Sequence, residues 1–449
     1  MNLLNKLKNY QTDISETFKL SLPIIFGRLG AVLMGVTDNI MVGKIGYTSL
    51  AASGIANSIY ILLVIIPIGM MIVGSPMISS ANSRGDKSMA VNIMKSCIQV
   101  STLVSILFML ILTVLALNFN WFNQPKEVEE LAVPYFLIII GSVLPLMFFI
   151  AVEQFSDGLE KTRISMFFNT TGLLVNIFFN WMFIYGNLGM PKLGLTGAGI
   201  GTLLARTYMG IGIWIWVRYG AMFKEYPLKF NVFELHSETF FKVLEQGIPS
   251  GMQFFFEVSA FSLAAVMIGW LGAVPLAAHQ VALSMCSISY MISTGFASGG
   301  SIRVGFAFGT KDKTQILRAG KSTLMLVAVL MTLSCITFTV FSNSLVWLYN
   351  DDIDVVNVAS VLLIIGGIFQ LGDGIQVVAV RALLGIEDVK VPTILTLIAY
   401  WVIGLPLGCV LTFVFDWGVK GIWIGLSTGL ILAAILLTYR FLDKGKRIP

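Results

Sequence analysis

Long apolar segments recur from one end of this chain to the other. A helical run of about eighteen apolar residues or more is long enough, at roughly 1.5 Å per residue, to cross about 30 Å of hydrocarbon. Only 12% of the residues are charged and 56% are hydrophobic, so the chain cannot cover itself with polar surface. The sequence therefore predicts an all-α integral membrane protein with about twelve transmembrane helices.

The basic residues are distributed unevenly among the predicted loops. The formal net charge of +5 suggests a nucleic acid partner only until this distribution is considered. One side of the membrane receives few loop lysines, Lys44, Lys126, Lys192 and Lys420, and nearly all the other basic residues fall on the opposite side. Basic loops stay in the cytoplasm. We therefore expect a multi-pass protein of the cell (inner) membrane with both termini cytoplasmic, and no nucleic acid partner.

The two halves of the chain repeat each other. Pro23 and Pro249 are 226 residues apart, and the same shift aligns many glycines and the pairs Asp86-Lys87 and Asp312-Lys313. Shared glycine and proline positions mark turns and close contacts that are costly to place by chance. The repeat predicts two six-helix lobes, 1–217 and 239–449, joined by a cytoplasmic linker, 218–238. Because six spans return the chain to the same side, the lobes should be related by a pseudo-twofold axis along the membrane normal.

Three acidic residues inside the predicted spans break this repeat. Asp38 and Glu257 align with alanines in the opposite half, and the third acid is Asp373. Each carboxylate at the centre of a span costs roughly 2.5 to 3.5 kcal/mol, so three cost on the order of 8 to 10 kcal/mol. Their retention indicates a function.

Polar residues accompany each acid at helical spacing. Asn176 and Asn180 form an i, i+4 pair, and with Thr202 they are expected near Asp38. Such an oxygen cluster suits a hard cation or a shared proton, although a helix-packing hydrogen-bond network is the alternative. In the second half, Gln253 shares a helix face with Glu257, and Gln370 with Asp373.

No motif indicates ATP hydrolysis or enzymatic chemistry. The chain contains no G-x-x-x-x-G-K-[ST] phosphate loop and no HExxH, G-x-S-x-G or Cys/His cluster. We therefore expect neither an enzyme nor a cofactor, and an ion gradient remains as the source of energy.

Several segments, read in order, resemble the multidrug and toxic compound extrusion (MATE) transporters of the NorM type. These are Leu22-Pro23 with 35–43 (GVTDNIMVG), 256–258 (FEV), 277–283 (AAHQVAL), 301–305 (SIRVG) and 373–376 (DGIQ). The resemblance implies a V-shaped fold of two six-helix lobes that exports cationic amphipathic drugs in exchange for Na+ or H+. By the same resemblance, Asp38 with Asn176 and Asn180, and Glu257 with Asp373, are the working polar residues. This chain has Phe369 where the family pattern usually shows tyrosine.

We therefore expect a monomeric secondary antiporter that works by alternating access, in which Na+ or H+ competes with a cationic drug for the acids. The candidate cation or proton ligands are Asp38, Asn176, Asn180, Thr202, Glu257 and Asp373. The candidate substrate contacts are Asp38, Gln253, Phe256, Glu257, Gln280, Phe369, Gln370 and Asp373. The aromatic residues suit cation–π contact, but could equally face lipid or pack in the core. A flippase for lipid-linked precursors and an uptake transporter for a natural cation are the open alternatives.

Overall fold

A computed structural model describes residues 3–228, 234, 236–349 and 351–448. Within this part of the chain the structure is all helical, and twelve helices are long and apolar enough to cross a membrane. They are α1 (Leu3–Gly43), α2 (Tyr47–Ser83), α3 (Lys87–Leu117), α4 (Lys126–Gly158), α5 (Thr162–Tyr185), α6 (Leu195–Tyr219), α7 (Ser237–Gly269), α8 (Ala273–Gly309), α9 (Lys313–Val340), α10 (Ile353–Gly385), α11 (Lys390–Val414) and α12 (Val419–Arg447). The prediction of an all-α protein with twelve spans is confirmed.

Several of these helices are irregular. Proline lies inside α1 at Pro23 and inside α7 at Pro249, where it removes a backbone donor from the helix. In α4 the regular helix is interrupted at Ser142, and α11 contains π-helical turns at Ile398–Gly404 and Val410–Val414. Such interruptions free backbone groups within the span and change the direction of the side chains that follow.

Local structure follows the internal repeat closely. Asp86 caps α3 by accepting from the Met89 amide at 2.8 Å, and Asp312 caps α9 by accepting from the Gln315 amide at 3.0 Å. Gly194 and Gly418, 224 residues apart, precede α6 and α12 with φ values of 56° and 58°. These positive values favour glycine. The same sequence signals therefore begin equivalent helices in both halves.

The chain forms two compact units whose boundaries also obey the repeat. The amino unit is Phe26–Gly251, and the carboxyl unit combines Met1–Ile25 with Met252–Pro449. Both boundaries lie two residues after a repeated proline, and they are 226 residues apart. The first part of α1 thus packs with the carboxyl unit, and the first part of α7 with the amino unit. The lobes expected from the sequence, 1–217 and 239–449, divide the chain by helix order and stay a prediction. The expected linker between them, 218–238, falls partly outside the described residues.

Polar contacts attach these two helix segments to their units. In the carboxyl unit the Arg303 guanidinium donates to Asp13 Oδ1 at 2.7 Å and to Thr17 Oγ1 at 2.7 Å. In the amino unit Ser250 Oγ donates to the Gly69 carbonyl at 2.7 Å. Buried polar groups require such partners inside a membrane protein. Arg303, part of the segment 301–305 that carries the family resemblance, is buried within α8.

Candidate ion and substrate sites

The first polar site lies in the amino unit, where α1, α5 and α6 meet at Asp38. Asn180 Nδ2 donates to Asp38 Oδ1 at 2.5 Å, and Thr202 Oγ1 donates to Asp38 Oδ2 at 3.1 Å. Asn176 joins the cluster by accepting from Asn180 Nδ2 at 3.3 Å and donating to Thr202 Oγ1 at 3.3 Å. Asn176 and Asn180 are fully buried, whereas Asp38 is half-buried. The structure thus brings together the first acid and the three residues expected around it.

One oxygen of this cluster lacks a hydrogen-bond partner among the described residues. Asn180 Oδ1 is buried and accepts no hydrogen bond from the described residues. It lies against Gly201, where an added Cβ would come within 2.2 Å of it. Buried polar atoms are normally satisfied, so this amide oxygen is an exception, and a cation or a water that reached it would supply the missing contact.

Arg206 extends the same network along α6. Its Nη1 donates to Tyr60 Oη at 2.7 Å and to Ser142 Oγ at 2.6 Å. Nearby, Tyr135 Oη and the Asn57 side chain are hydrogen bonded at 3.1 Å. Arg206 is thus bonded to neutral hydroxyls in the interior rather than extended toward the membrane surface.

The second polar site is a cavity of about 370 Å³ in the carboxyl unit, formed by α7, α8 and α10. Glu257 and Asp373 both line it, together with Gln280 and Phe369. Its remaining lining residues include Val258, Phe261, Ser262, Ala265, Leu283, Cys286, Ser287, Tyr290 and Met291. The wall is therefore largely apolar and aromatic, with two carboxylates as its ionisable acids.

The two acids of this cavity have different surroundings. Tyr290 Oη donates to Glu257 Oε1 at 3.0 Å, and Glu257 is half-buried. Asp373 is 5% exposed, and the negative charge of Glu257 acts on it. Two carboxylates in the wall of one largely apolar cavity repel each other, and a bound cation would relieve that repulsion.

Asp38 belongs to the amino unit, and three further expected substrate contacts lie in the carboxyl unit but away from the cavity lining. Gln253 Nε2 donates to Thr396 Oγ1 at 3.1 Å, and Gln370 Nε2 donates to the Cys286 carbonyl at 2.8 Å. Phe256 is half-buried, and its carbonyl accepts from Trp401 Nε1 at 3.0 Å. In this structure the glutamines join helices of the carboxyl unit. Their roles as substrate contacts stay predictions.

Sequence reasoning missed several polar residues inside the spans. Tyr290 was not selected, although a tyrosine in the middle of a span is a signal, because its hydroxyl needs a partner there. Arg381, which is 2% exposed on α10, was not selected either. Glu153 and Asp157 on α4 were also missed, and they accept hydrogen bonds from Asn169 at 2.8 Å and Ser165 at 2.6 Å.

Twelve spans with carboxylates held inside both halves define a multi-pass membrane transporter. The MatE family model matches residues 23–182 and 249–410, and these two matched segments begin at the repeated prolines. The chain belongs to the MatE family. It is therefore a transporter and not an enzyme, and the resemblance found in the sequence is confirmed.

Curated relatives cover nearly the whole chain. It is 30% identical to the multidrug resistance protein NorM of Aliivibrio fischeri, over 97% of this chain and 96% of that protein. It is also 30% identical to a probable multidrug resistance protein NorM of Mesorhizobium japonicum, over 98% and 96% of the two chains. A solved MATE structure in a bent conformation covers 98% of both chains, with a TM-score of 0.88 at 19% identity. That similarity confirms the fold.

Proposed function

We propose that this protein exports cationic amphipathic drugs in exchange for Na+ or H+ by alternating access. The observation that carries the proposal is the placement of Glu257 and Asp373 in the wall of one largely apolar cavity. The names of the similar NorM proteins, which describe multidrug resistance, support the same substrate class.

The carboxyl-unit cavity suits a molecule with both charge and apolar surface. Its volume of about 370 Å³ lies in the range of small-molecule sites. The rings of Phe261 and Phe369, with centroids 5.7 Å apart, offer an apolar wall near the two acids. A cation that contacts these rings gains cation–π attraction in addition to its charge interaction with the carboxylates.

The Asp38 cluster suits a small ion. It combines a carboxylate, an unsatisfied amide oxygen and a hydroxyl, which are ligands for Na+, while the carboxylate alone can take a proton. Asp38 is also a proposed drug contact. The hydrogen-bond donors to Asp38 are neutral, so an arriving ion neutralises a charge that these hydrogen bonds only partly stabilise.

Exchange then results from competition for negative charge. An ion bound at Asp38, or at Glu257 and Asp373, lowers the affinity for a cationic drug, and the drug lowers the affinity for the ion by the same factor. The two sites need not share one task. We assign ion binding to Asp38 and both ion and drug binding to the carboxyl-unit pair.

The setting of the transporter is part of the proposal. We place a monomer in the cell (inner) membrane with both termini in the cytoplasm, since the basic loops fall on one side. A flippase for lipid-linked precursors would need cationic groups in its cavity to hold phosphate, whereas the described cavity presents two acids.

Ethidium export from proteoliposomes with an imposed Na+ or pH gradient tests the proposal. We expect one of the two gradients to drive export, and Asp373→Asn to reduce it at least about tenfold, as for loss of a buried charge contact. Asp351→Asn removes an exposed carboxylate and serves as the matched control. Wild-type export by Asp373→Asn would exclude the assigned role of that acid, and export that ignores both gradients would exclude antiport. Uptake in place of export would favour the alternative direction.

A further inference from the structure

Arg206 is a positive charge inside a span that the proposed exchange does not use. It lies on α6 one turn after Thr202, the residue that donates to Asp38. Its two hydrogen bonds go to Tyr60 on α2 and Ser142 on α4. The guanidinium also lies over the Tyr60 ring, 5.3 Å from the ring centroid. The cation is therefore anchored by neutral partners on two other helices.

The Arg206 guanidinium acts on Asp38 through its charge and not through a hydrogen bond. Arg206 lies four residues after Thr202, which donates to Asp38, so its positive charge lies in the same network as the carboxylate. The hydrogen bonds to that carboxylate come from Asn180 and Thr202. A charge held in this way stabilises the anionic site without bonding to the carboxylate oxygens, each of which accepts one hydrogen bond from a neutral partner. A directly bonded guanidinium would instead cover those oxygens.

The other groups around Asp38 are formally neutral in their ordinary states. Asn176 and Asn180 face it from α5, and Thr202 faces it from α6. From α4 the Tyr135 hydroxyl lies near enough to interact with the carboxylate, and it is hydrogen bonded to Asn57 of α2. Among the described residues that act on Asp38, Arg206 thus supplies the positive charge.

We propose that Arg206 is a built-in counter-cation that weakens ion binding at Asp38 enough for the ion to leave. This inference deepens the proposed function and rests on it. An ion that neutralises a desolvated, uncompensated carboxylate would be held tightly, and slow release would limit exchange. Arg206 is therefore a positioning residue, which acts on the ion through the charge of Asp38.

The carboxyl unit has a comparable pair built from unrelated positions. Arg381 lies 5.3 Å from the centroid of the Phe254 ring, and its charge acts on Glu257. When the two halves are aligned with the 224-residue shift, Arg206 corresponds to Leu430 and not to an arginine. The duplicated scaffold therefore does not account for both arginines. Their recurrence beside the acids of each unit supports a function connected with those acids.

The test measures ethidium export in proteoliposomes as a function of ion concentration, with Na+ varied at fixed pH and pH varied without Na+. Arg206→Gln removes the charge and Arg206→Lys retains it. Thr207→Ala, a change next to Arg206 on α6, is the control. Asp38→Asn reports whether Asp38 binds the ion at all. If the glutamine variant is not recovered from the membrane, Arg206→Met removes the same charge with an apolar chain.

We expect Arg206→Gln to lower the half-saturating ion concentration at least about fivefold and to lower the maximal rate, since coupling energies of this kind change affinity by about 5- to 150-fold. Arg206→Lys should stay within about twofold of the wild type, as should the Thr207 control. An unchanged half-saturating concentration in Arg206→Gln, or an equal change in Arg206→Lys, would overturn the inference. If Asp38→Asn keeps the wild-type ion dependence, the proposed ion site is wrong and the inference falls with it. If Asp38→Asn loses the ion dependence of export but Arg206→Gln has no effect, Asp38 is still the ion site and only the role assigned to Arg206 is rejected.

Discussion

The hydrogen bond from Tyr290 to Glu257 gives a prediction whose sign tests the reasoning about the carboxyl-unit cavity. Tyr290→Phe removes one hydroxyl and leaves the ring in place. The lost contact is a 3.0 Å hydrogen bond to one carboxylate oxygen of Glu257. Phe369 lines the same cavity and carries no hydroxyl, so Tyr290 is the residue whose hydroxyl donates to Glu257 there.

The magnitude follows from the charge of the acceptor. A hydrogen bond to a charged group contributes about 1.5 to 3 kcal/mol, and every 1.36 kcal/mol changes an equilibrium tenfold. In Tyr290→Phe the empty, anionic Glu257 loses this stabilisation, whereas the ion-bound state loses less of it. The coupling ion should therefore bind more tightly, by roughly 10- to 100-fold.

The half-saturating ion concentration for ethidium export in proteoliposomes measures this change. Tyr400→Phe is the matched control, because the buried Tyr400 hydroxyl donates to a neutral amide oxygen, Gln376 Oε1, at 2.7 Å. We expect a large shift in Tyr290→Phe and a small one in Tyr400→Phe. Weaker ion binding in Tyr290→Phe would refute the reasoning and would identify the Tyr290 oxygen as an ion ligand. Equal shifts in both variants would indicate a general loss of packing.

Two further predictions concern space and capping. Gly201→Ala would place a Cβ 2.2 Å from Asn180 Oδ1. Overpacking of this kind costs about 1 to 3 kcal/mol. We therefore expect ion-driven export to fall about tenfold or more. Gly54→Ala, where an added Cβ meets nothing within 4 Å, should export like the wild type, and a normal Gly201→Ala would contradict the crowding argument. Asp86→Ala and Asp312→Ala each remove a helix N-cap and should each lower the stability of the protein by about 1 kcal/mol. Thermal unfolding in detergent measures this, and a loss in only one of the two would show that the repeated caps are not equivalent.

Features encoded over short stretches of the chain could be predicted from the sequence. The length of each apolar run determined the number of spans, because the hydrocarbon thickness sets the minimum length of a spanning helix. The repeat of glycine, proline and aspartate predicted equivalent helix beginnings, and Asp86 and Asp312 do cap equivalent helices. Asn176 and Asn180 were placed on one face because their spacing matches the helical period.

The contacts between helices were decided by the tertiary structure. Tyr290 is 33 residues from Glu257, and Arg206 is 64 residues from Ser142, so no local pattern relates the partners. Gln253 shares a helix face with Glu257 by spacing, yet it bonds to Thr396 on α11. Spacing fixes which side chains share a face, whereas the rotation and crossing of the helices decide what that face meets.

The sequence by itself thus determined the membrane class, the duplicated scaffold and the three acids that break the repeat. The tertiary structure decided which neutral and charged groups surround those acids, including Tyr290 beside Glu257 and Arg206 near Asp38. The physical reason is that insertion into a membrane depends on composition along the chain, whereas the energy of a buried charge depends on neighbours brought in from distant helices.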